Sequence, residues 1–175
     1  MSAKLGFILI AILTIAFWRI LPHPANVTPV MATALFCGAY LKDKKMAFLL
    51  PLLAMLVSDL FIGLHGSMLF VYGSIAITVG AGIVFLQQYK KPLHIFTTTV
   101  VCSLIFFFVT NFGAWLYSAA LYPRSVEGLL QAYVAGIPFY RNSILGDLFF
   151  AAVLFGGYAF IETLFTSRST DSAIK

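Results

Sequence analysis

Ionisable side chains inside long apolar runs are the first feature of this sequence that points to chemistry. Arg19, Asp59 and Asp147 lie within or at the edge of such runs, and Glu162 lies in the last one. A charged group within a membrane span is costly, so it is retained mostly where it is paired or serves a site or pathway. A functional interpretation therefore starts from these positions.

Other polar and aromatic residues fall at the same ends of the apolar runs. If the runs cross a membrane, all but Glu162 reach one side, whereas simple interfacial anchoring would populate both. This clustering predicts an outward-facing pocket for a small polar or amphipathic solute. The candidate binding set is Arg19, His23, Asn26, Asp59, Tyr72, Asn111, Trp115, Arg141 and Asp147.

Each group in this set has an expected role. Arg19 and Arg141 would pair with anionic groups of the solute. Hydrogen bonds would come from Asp59, Asn111 and Asp147, and the aromatic rings at positions 72 and 115 would offer stacking faces.

Structural alternatives remain open for several of these residues. Arg19 could form a bridge with Asp59 or Asp147 and bind nothing else. Asn111 could hydrogen-bond a neighbouring helix, and Trp115 could be an interfacial anchor.

The stretch RILPHPANVTP (residues 19–29) interrupts the apolar sequence. Pro22, Pro24 and Pro29 forbid a continuous helix there, because proline lacks an N–H and biases its predecessor toward extended geometry. Irregular backbone beside membrane spans is tolerated only where it is buried in protein or lines a wet cavity. We expect this stretch to form one wall of the pocket.

Composition excludes an ordinary soluble domain. Hydrophobic residues make up 61% of the 175 and charged residues only 10%, against about 25% charged in typical globular chains. The net charge of +5 is better explained by membrane orientation than by a nucleic-acid partner. Cys37 and Cys102 lie inside apolar runs and are interpreted as packing residues.

The fold predicted from the apolar runs is an all-α integral membrane protein, a compact bundle of six transmembrane helices. Residues 1–166 would form a single transmembrane domain and residues 167–175 a polar cytoplasmic tail. The alternative is five spans, if the second run does not cross. The predicted spans are Leu5–Leu21, Val27–Leu41, Met46–Leu64, Ser67–Leu86, His94–Tyr117 and Ile144–Thr166.

Basic residues orient this bundle without fixing the number of spans. Either topology puts eight lysines and arginines on one side and three on the other. Six spans are favoured because Thr28 and Pro29 are typical of a helix cap followed by a first-turn proline. Residues 42–45 would then form a tight cytoplasmic turn. Both termini would be cytoplasmic, with the protein in the inner (cytoplasmic) membrane of the cell.

The segment Ser118–Asn142 separates the last two predicted spans. Apolar residues recur in it near a helical period, which predicts a short amphipathic helix at the membrane interface, either a lid or a spacer. These residues are Val126, Leu129, Leu130, Tyr133, Val134 and Ile137.

Two other functional classes remain as alternatives. One is a divalent-metal permease in which His23, His65, Asp59 and Asp147 bind the ion. The other is a membrane enzyme or assembly factor with an aspartate and a histidine as acid and base. No nucleotide-binding loop, CxxC, HExxH or GxSxG motif is present, so we expect neither a catalytic site nor a cofactor.

Several motifs together resemble a bacterial family of uncharacterised small membrane proteins. They are RxLPHPxNxTP (19–29), ALFxGAY (34–40), LPLxAMxxSD (50–59), TNFGxW (110–115) and IPFxxN with the later aspartate (137–147). More distantly, the pattern is similar to the substrate-binding (S) components of energy-coupling-factor vitamin transporters.

The more distant resemblance implies a specific mode of action. S components are six-helix proteins that hold vitamins near the outer face, so loop 22–29 would gate the pocket. A transmembrane coupling subunit with ATPases would then power release. The first span carries Ala11 and Ala16 in place of the Ala-x-x-x-Ala docking motif, which leaves a solitary protein as the alternative.

Overall fold

A computed structural model describes residues 10, 14 and 17–172, with side chains up to residue 164. Ile10, Thr14 and residues 17–20 are helical and precede five further helices. Within the described residues there is no strand, and the predicted all-α class is confirmed. The helices are α1 (Val30–Tyr40), α2 (Lys44–Ile62), α3 (Met68–Ala81, extended by a π-helical turn Gly82–Leu86), α4 (Pro92–Tyr117) and α5 (Val126–Ser172).

Four helical segments of the described chain are long and apolar enough to cross a membrane. They are Lys44–Ile62, Met68–Leu86, Pro92–Tyr117 and Val126–Leu164. The six-span prediction is not confirmed. The first predicted span lies mostly outside the described residues, and the second contains only the 11-residue α1. At 1.5 Å per residue α1 is about 16 Å long, roughly half the apolar thickness of a bilayer.

Helix α1 is the centre of the bundle. Ten of its eleven residues, Val30 to Ala39, are buried, as expected of a helix that is apolar on every side. It approaches α3 so closely that a Cβ atom on Gly38 or on Gly82 would collide with the backbone of the facing helix. Such contacts between small residues are a common basis of helix packing in lipid.

The connection before α2 is short, as predicted, but Lys44 and Lys45 of the predicted turn belong to the helix. Asp43 caps α2 by accepting hydrogen bonds from the backbone N–H groups of Lys45 (2.9 Å) and Met46 (3.3 Å). The predicted cap of α1 by Thr28 is wrong. Pro29 itself occupies the capping position, and no side-chain hydrogen bond caps this helix among the residues described.

The separate interfacial helix predicted within Ser118–Asn142 is also wrong, because its residues form the first three turns of α5. The small residues Gly128, Ala132 and Gly136 are buried, whereas Val126 and Val134 are exposed. The apolar stripe thus faces outward, whereas Gly128 lies against Pro123 and Gly136 against the Asn111 side chain of α4. That packing carries the helix through Pro138, which removes one backbone hydrogen bond.

The helices alternate in direction, so the connections gather at two ends. We call one the lysine end, because Lys42, Lys44, Lys45, Lys90 and Lys91 lie there. The Gln87 side chain fastens this end by donating to the carbonyl oxygens of Gly38 (3.1 Å) and Leu41 (3.3 Å). Residues 63–67 and 118–125 connect helices at the opposite end, which we call the loop end.

Candidate functional site

Two adjoining cavities lie between the helices on the side of α1 away from the lysine end. The first, of about 180 Å³, has Asp147, Arg19 and Met31 among its lining residues, and we call it the Asp147 chamber. The second, of about 340 Å³, is lined by Asn111 and by several aromatic residues, and we call it the Asn111 chamber. They share four lining residues, Asn26, Val71, Phe106 and Ser143, so the two adjoin, and we call the pair the recess.

The short α1 leaves room for this recess. The chain that leads into α1, residues 22–29, is irregular backbone. Asn26 and Thr28 of this loop line the Asp147 chamber. Asn26 has φ 63°, a left-handed conformation that asparagine tolerates better than most residues. The proline-rich stretch therefore lies at the wall of a cavity.

Two side chains hold the loop against the bundle. The indole N–H of Trp18 donates to the carbonyl oxygen of Val27 at 2.7 Å, and the amide of Asn142 donates to that of Ala25 at 3.2 Å. Gly146 lets α5 approach the loop closely, since a Cβ there would lie 3.2 Å from the Cα of Val27. The position of the loop thus depends on a few contacts, which substitutions at single residues can remove.

Asp59 is fully committed to partners within the protein. Its Oδ1 lies 2.7 Å from Nη2 of Arg19, and its Oδ2 accepts a hydrogen bond from the Tyr72 hydroxyl at 2.8 Å. Arg19 also donates through Nη1 to the Ser58 hydroxyl at 2.7 Å. Asp59 is only 1% exposed and Arg19 is partly buried, so the ion pair balances the buried charge of Asp59.

Asp147 is equally buried, at 1% exposure, but has no ion-pair partner in the described part of the chain. Within the described part of the chain, its Oδ2 has no hydrogen-bond partner and no lysine, arginine or histidine nitrogen comes within the 4.0 Å of an ion pair. The buried hydroxyl of Ser103 also has no partner at standard hydrogen-bond geometry in this part of the chain, but it lies close enough to Asp147 to interact with its carboxyl group. A buried polar group without a partner is costly, and a buried carboxylate more so. The Asp147 chamber therefore contains a buried carboxyl group with no ion-pair partner in the described chain.

Other predicted site residues divide between the chambers and more distant positions. Asn26 lines both chambers. Asn111 lines the second chamber, with its amide N–H donated to the Phe107 carbonyl oxygen at 2.8 Å. His65 lines the Asp147 chamber, and its Nδ1 lies 3.0 Å from the Ser67 hydroxyl.

Five predicted residues line neither chamber: His23, Asp59, Tyr72, Trp115 and Arg141. The Trp115 indole donates to the Pro123 carbonyl oxygen at 2.9 Å and lies under the Arg124 guanidinium. Arg141 is exposed. His23 is bonded through Nδ1 to the Leu21 carbonyl oxygen at 2.7 Å. Tyr72 is committed through its hydroxyl to Asp59, which differs from the expected stacking role.

The aspartates and histidines of the metal-permease alternative do not form a common site. Among the described residues, no three histidine, cysteine, aspartate or glutamate side chains come together as a metal-binding group would require. Cys37 and Cys102 are free and buried.

Sequence reasoning missed three serines around the aspartates. Ser143 and Asp147 are four residues apart on α5, a spacing that places both on one helix face and could have identified the pair. Ser58 directly precedes Asp59 in the motif LPLxAMxxSD (50–59). No sequence signal distinguishes Ser103 from other serines of apolar runs, because its proximity to the chamber comes from the packing of α4 on α5.

Comparisons with known proteins give one match. No curated protein and no solved structure matches this chain significantly. The resemblance to S components thus stays a prediction. The model of a family described as "Family of unknown function (DUF6580)" matches residues 1–169, so this chain belongs to that family.

Proposed function

We propose that this protein is a membrane transport protein that binds a small solute in the Asp147 and Asn111 chambers. The observation that carries the proposal is the buried Asp147 carboxyl group, which lines a cavity and has no ion-pair partner in the described chain. An ionisable residue at this depth in a membrane bundle is expected to serve a site or pathway. A bound solute would supply the missing partner.

The size of the recess suits a small molecule. The Asp147 chamber alone, at about 180 Å³, is smaller than typical ligand pockets of roughly 300–1,000 Å³. The adjoining Asn111 chamber adds a further cavity of about 340 Å³. A solute that extends through both would contact Asp147 at one end and the aromatic lining at the other.

The irregular connection to α1 supports transport in addition to binding. Discontinuous helices at membrane depth commonly line substrate sites in transporters. Residues 22–29, including Pro22, Pro24 and Pro29, are held by the Trp18 and Asn142 hydrogen bonds. In our proposal, release of these contacts moves the loop and opens the recess.

The proposed orientation places the lysine end in the cytoplasm, in accord with the positive-inside rule. The loop end and the opening of the recess then face outward, in the inner membrane of a bacterium. Residues 22–40 form a crossing that is part loop and part helix, which gives six crossings with the N-terminal run and both termini inside. A coupling subunit with ATPases is the proposed partner, by analogy with S components.

The experiment is mass spectrometry of small molecules that remain bound to the purified protein. Ser143→Trp places a large side chain at the position shared by both chambers. Leu145→Trp makes the same change two residues away, on a 60% exposed position of the same helix. We expect the bound solute to be lost from the first variant and retained by the second. Equal retention by both would refute binding in the recess.

A further inference from the structure

The charges around the Asp147 chamber indicate what kind of solute it accepts. Three ionisable side chains line it: Arg19, His65 and Asp147. The Arg19 guanidinium is matched by Asp59 at 2.7 Å. His65 is exposed at the loop end and bonded to the Ser67 hydroxyl. Of these three groups, only the carboxyl group of Asp147 is both buried and without an ion-pair partner in the described structure.

An anionic solute fits this arrangement poorly. Its negative group would face Asp147 at close range, where the low dielectric strengthens repulsion. Arg19 has little to offer in compensation, because Asp59 and Ser58 already occupy its guanidinium. The earlier expectation that Arg19 binds an anionic group of the solute is therefore not favoured by its contacts.

A cationic nitrogen fits the same arrangement well. An ionised carboxylate only accepts hydrogen bonds, and an ammonium group only donates them. A charge-assisted hydrogen bond between the two is short and about twice as strong as a neutral one. Such a group would satisfy Asp147 and neutralise its charge in one contact.

The remaining lining describes the body attached to this nitrogen. Val30, Val71 and Phe106 give the Asp147 chamber an apolar side, and Phe107 and Phe139 continue it into the Asn111 chamber. Aromatic faces also attract cations. We infer that the solute is a small organic cation, with a protonated amine or ammonium group on Asp147 and an apolar or aromatic body in the Asn111 chamber. This inference rests on the proposed function.

Three matched probes test the inference on the purified full-length protein. Phenethylamine, 2-phenylethanol and 3-phenylpropionate share an aromatic body but differ in the charge of the polar group. We expect calorimetric titration to show the amine binding about tenfold or more tighter than the alcohol, with no binding of the acid. Asp147→Asn should remove the preference for the amine, whereas Asp147→Glu, which keeps the charge, should retain it with weaker affinity.

Glu127→Gln is the matched control, because it removes an exposed carboxylate from the first turn of the same helix. This variant should keep the full preference for the amine. Equal binding of amine and alcohol, or an unchanged preference in folded Asp147→Asn, would overturn the inference. So would a failure of all three probes to bind. Solute binding itself is judged separately, by the Ser143→Trp and Leu145→Trp comparison.

Discussion

Two cavities beside helix α5 differ in size and in the chemistry of their lining residues. The Asp147 chamber encloses a buried carboxyl group without a described ion-pair partner. The other lies between α4 and α5 toward the lysine end, has a volume of about 340 Å³, and is lined mainly by apolar residues such as Ile95, Phe96 and Phe155. Lys90 at its edge is already satisfied, since Nζ donates to the Gln87 carbonyl oxygen at 2.6 Å and lies over the Tyr40 ring.

The comparison indicates that a buried carboxyl group without an ion-pair partner, and not the volume of the cavity, identifies the site in this protein. Lipid tails are as apolar as the lining of the second cavity, so they can occupy it without a specific partner. A buried carboxylate requires a specific hydrogen-bond donor or cation. We therefore assign the solute to the Asp147 chamber, although it is the smaller of the two.

Of the substitutions at the two buried aspartates, Asp59→Asn is expected to have the largest effect on stability. Asp59→Asn removes the counter-ion of Arg19 and leaves a partly buried guanidinium with a weaker partner. We expect a loss of stability of about 3 kcal/mol, at the lower end of what breaking a buried ion pair costs. Thermal unfolding in detergent measures it. A melting temperature unchanged from wild type would show that the Arg19–Asp59 contact is not structural.

The same substitution at Asp147 should act in the opposite direction. Asp147→Asn removes a buried charge that has no described ion-pair partner, so the solute-free protein should gain about 1 kcal/mol of stability. The difference in unfolding temperature between the two asparagine variants, measured side by side without solute, checks this. If Asp147→Asn destabilises as much as Asp59→Asn, Asp147 has a structural partner and the assignment of the site is wrong.

The loop contacts should contribute less than the ion pair. Asn142→Ala removes the hydrogen bond to the Ala25 carbonyl oxygen, which is worth about 1 kcal/mol. We expect faster exchange of bound solute with a small change in unfolding temperature. Hydrogen exchange of the residue 22–29 backbone would report the same loosening. An unchanged exchange rate of the solute would argue against movement of this loop during binding.

The smallest effect is expected in the apolar cavity. Gly156 lines it, and a Cβ added there would meet no atom within 4 Å. Gly156→Leu should therefore leave both folding and solute retention unchanged, in contrast to Ser143→Trp. Loss of the solute from Gly156→Leu would move the site to the apolar cavity.

The helical class and the polar stretch beside the site could be predicted from the sequence, because both follow from local composition. The length of α1 could not be predicted in this way. The run 27–41 is apolar throughout, and only Pro29 and the packing on α3 determine where its helix begins. The continuity of α5 through Pro138 could not be predicted for a similar reason, because the packing of Gly136 against Asn111 of α4 is a tertiary contact.

The site was predictable as a set of residue types but not as a set of roles. Arg19 could pair with either Asp59 or Asp147 on sequence grounds, and only the fold shows that it pairs with Asp59. The commitment of Trp115 to Pro123 depends on the turn at residues 118–125, which brings together groups eight positions apart. Roles of this kind follow from distances that no local pattern encodes.

The most direct test of the central claim compares solute retained by wild type, Asp147→Asn and Gly156→Leu after identical purification, with mass spectrometry as the measurement. Our account predicts that wild type and Gly156→Leu carry the same bound small molecule in similar amount and that Asp147→Asn has lost it. Retention by folded Asp147→Asn at the wild-type level would contradict the claim that the Asp147 carboxylate is the group that binds the solute.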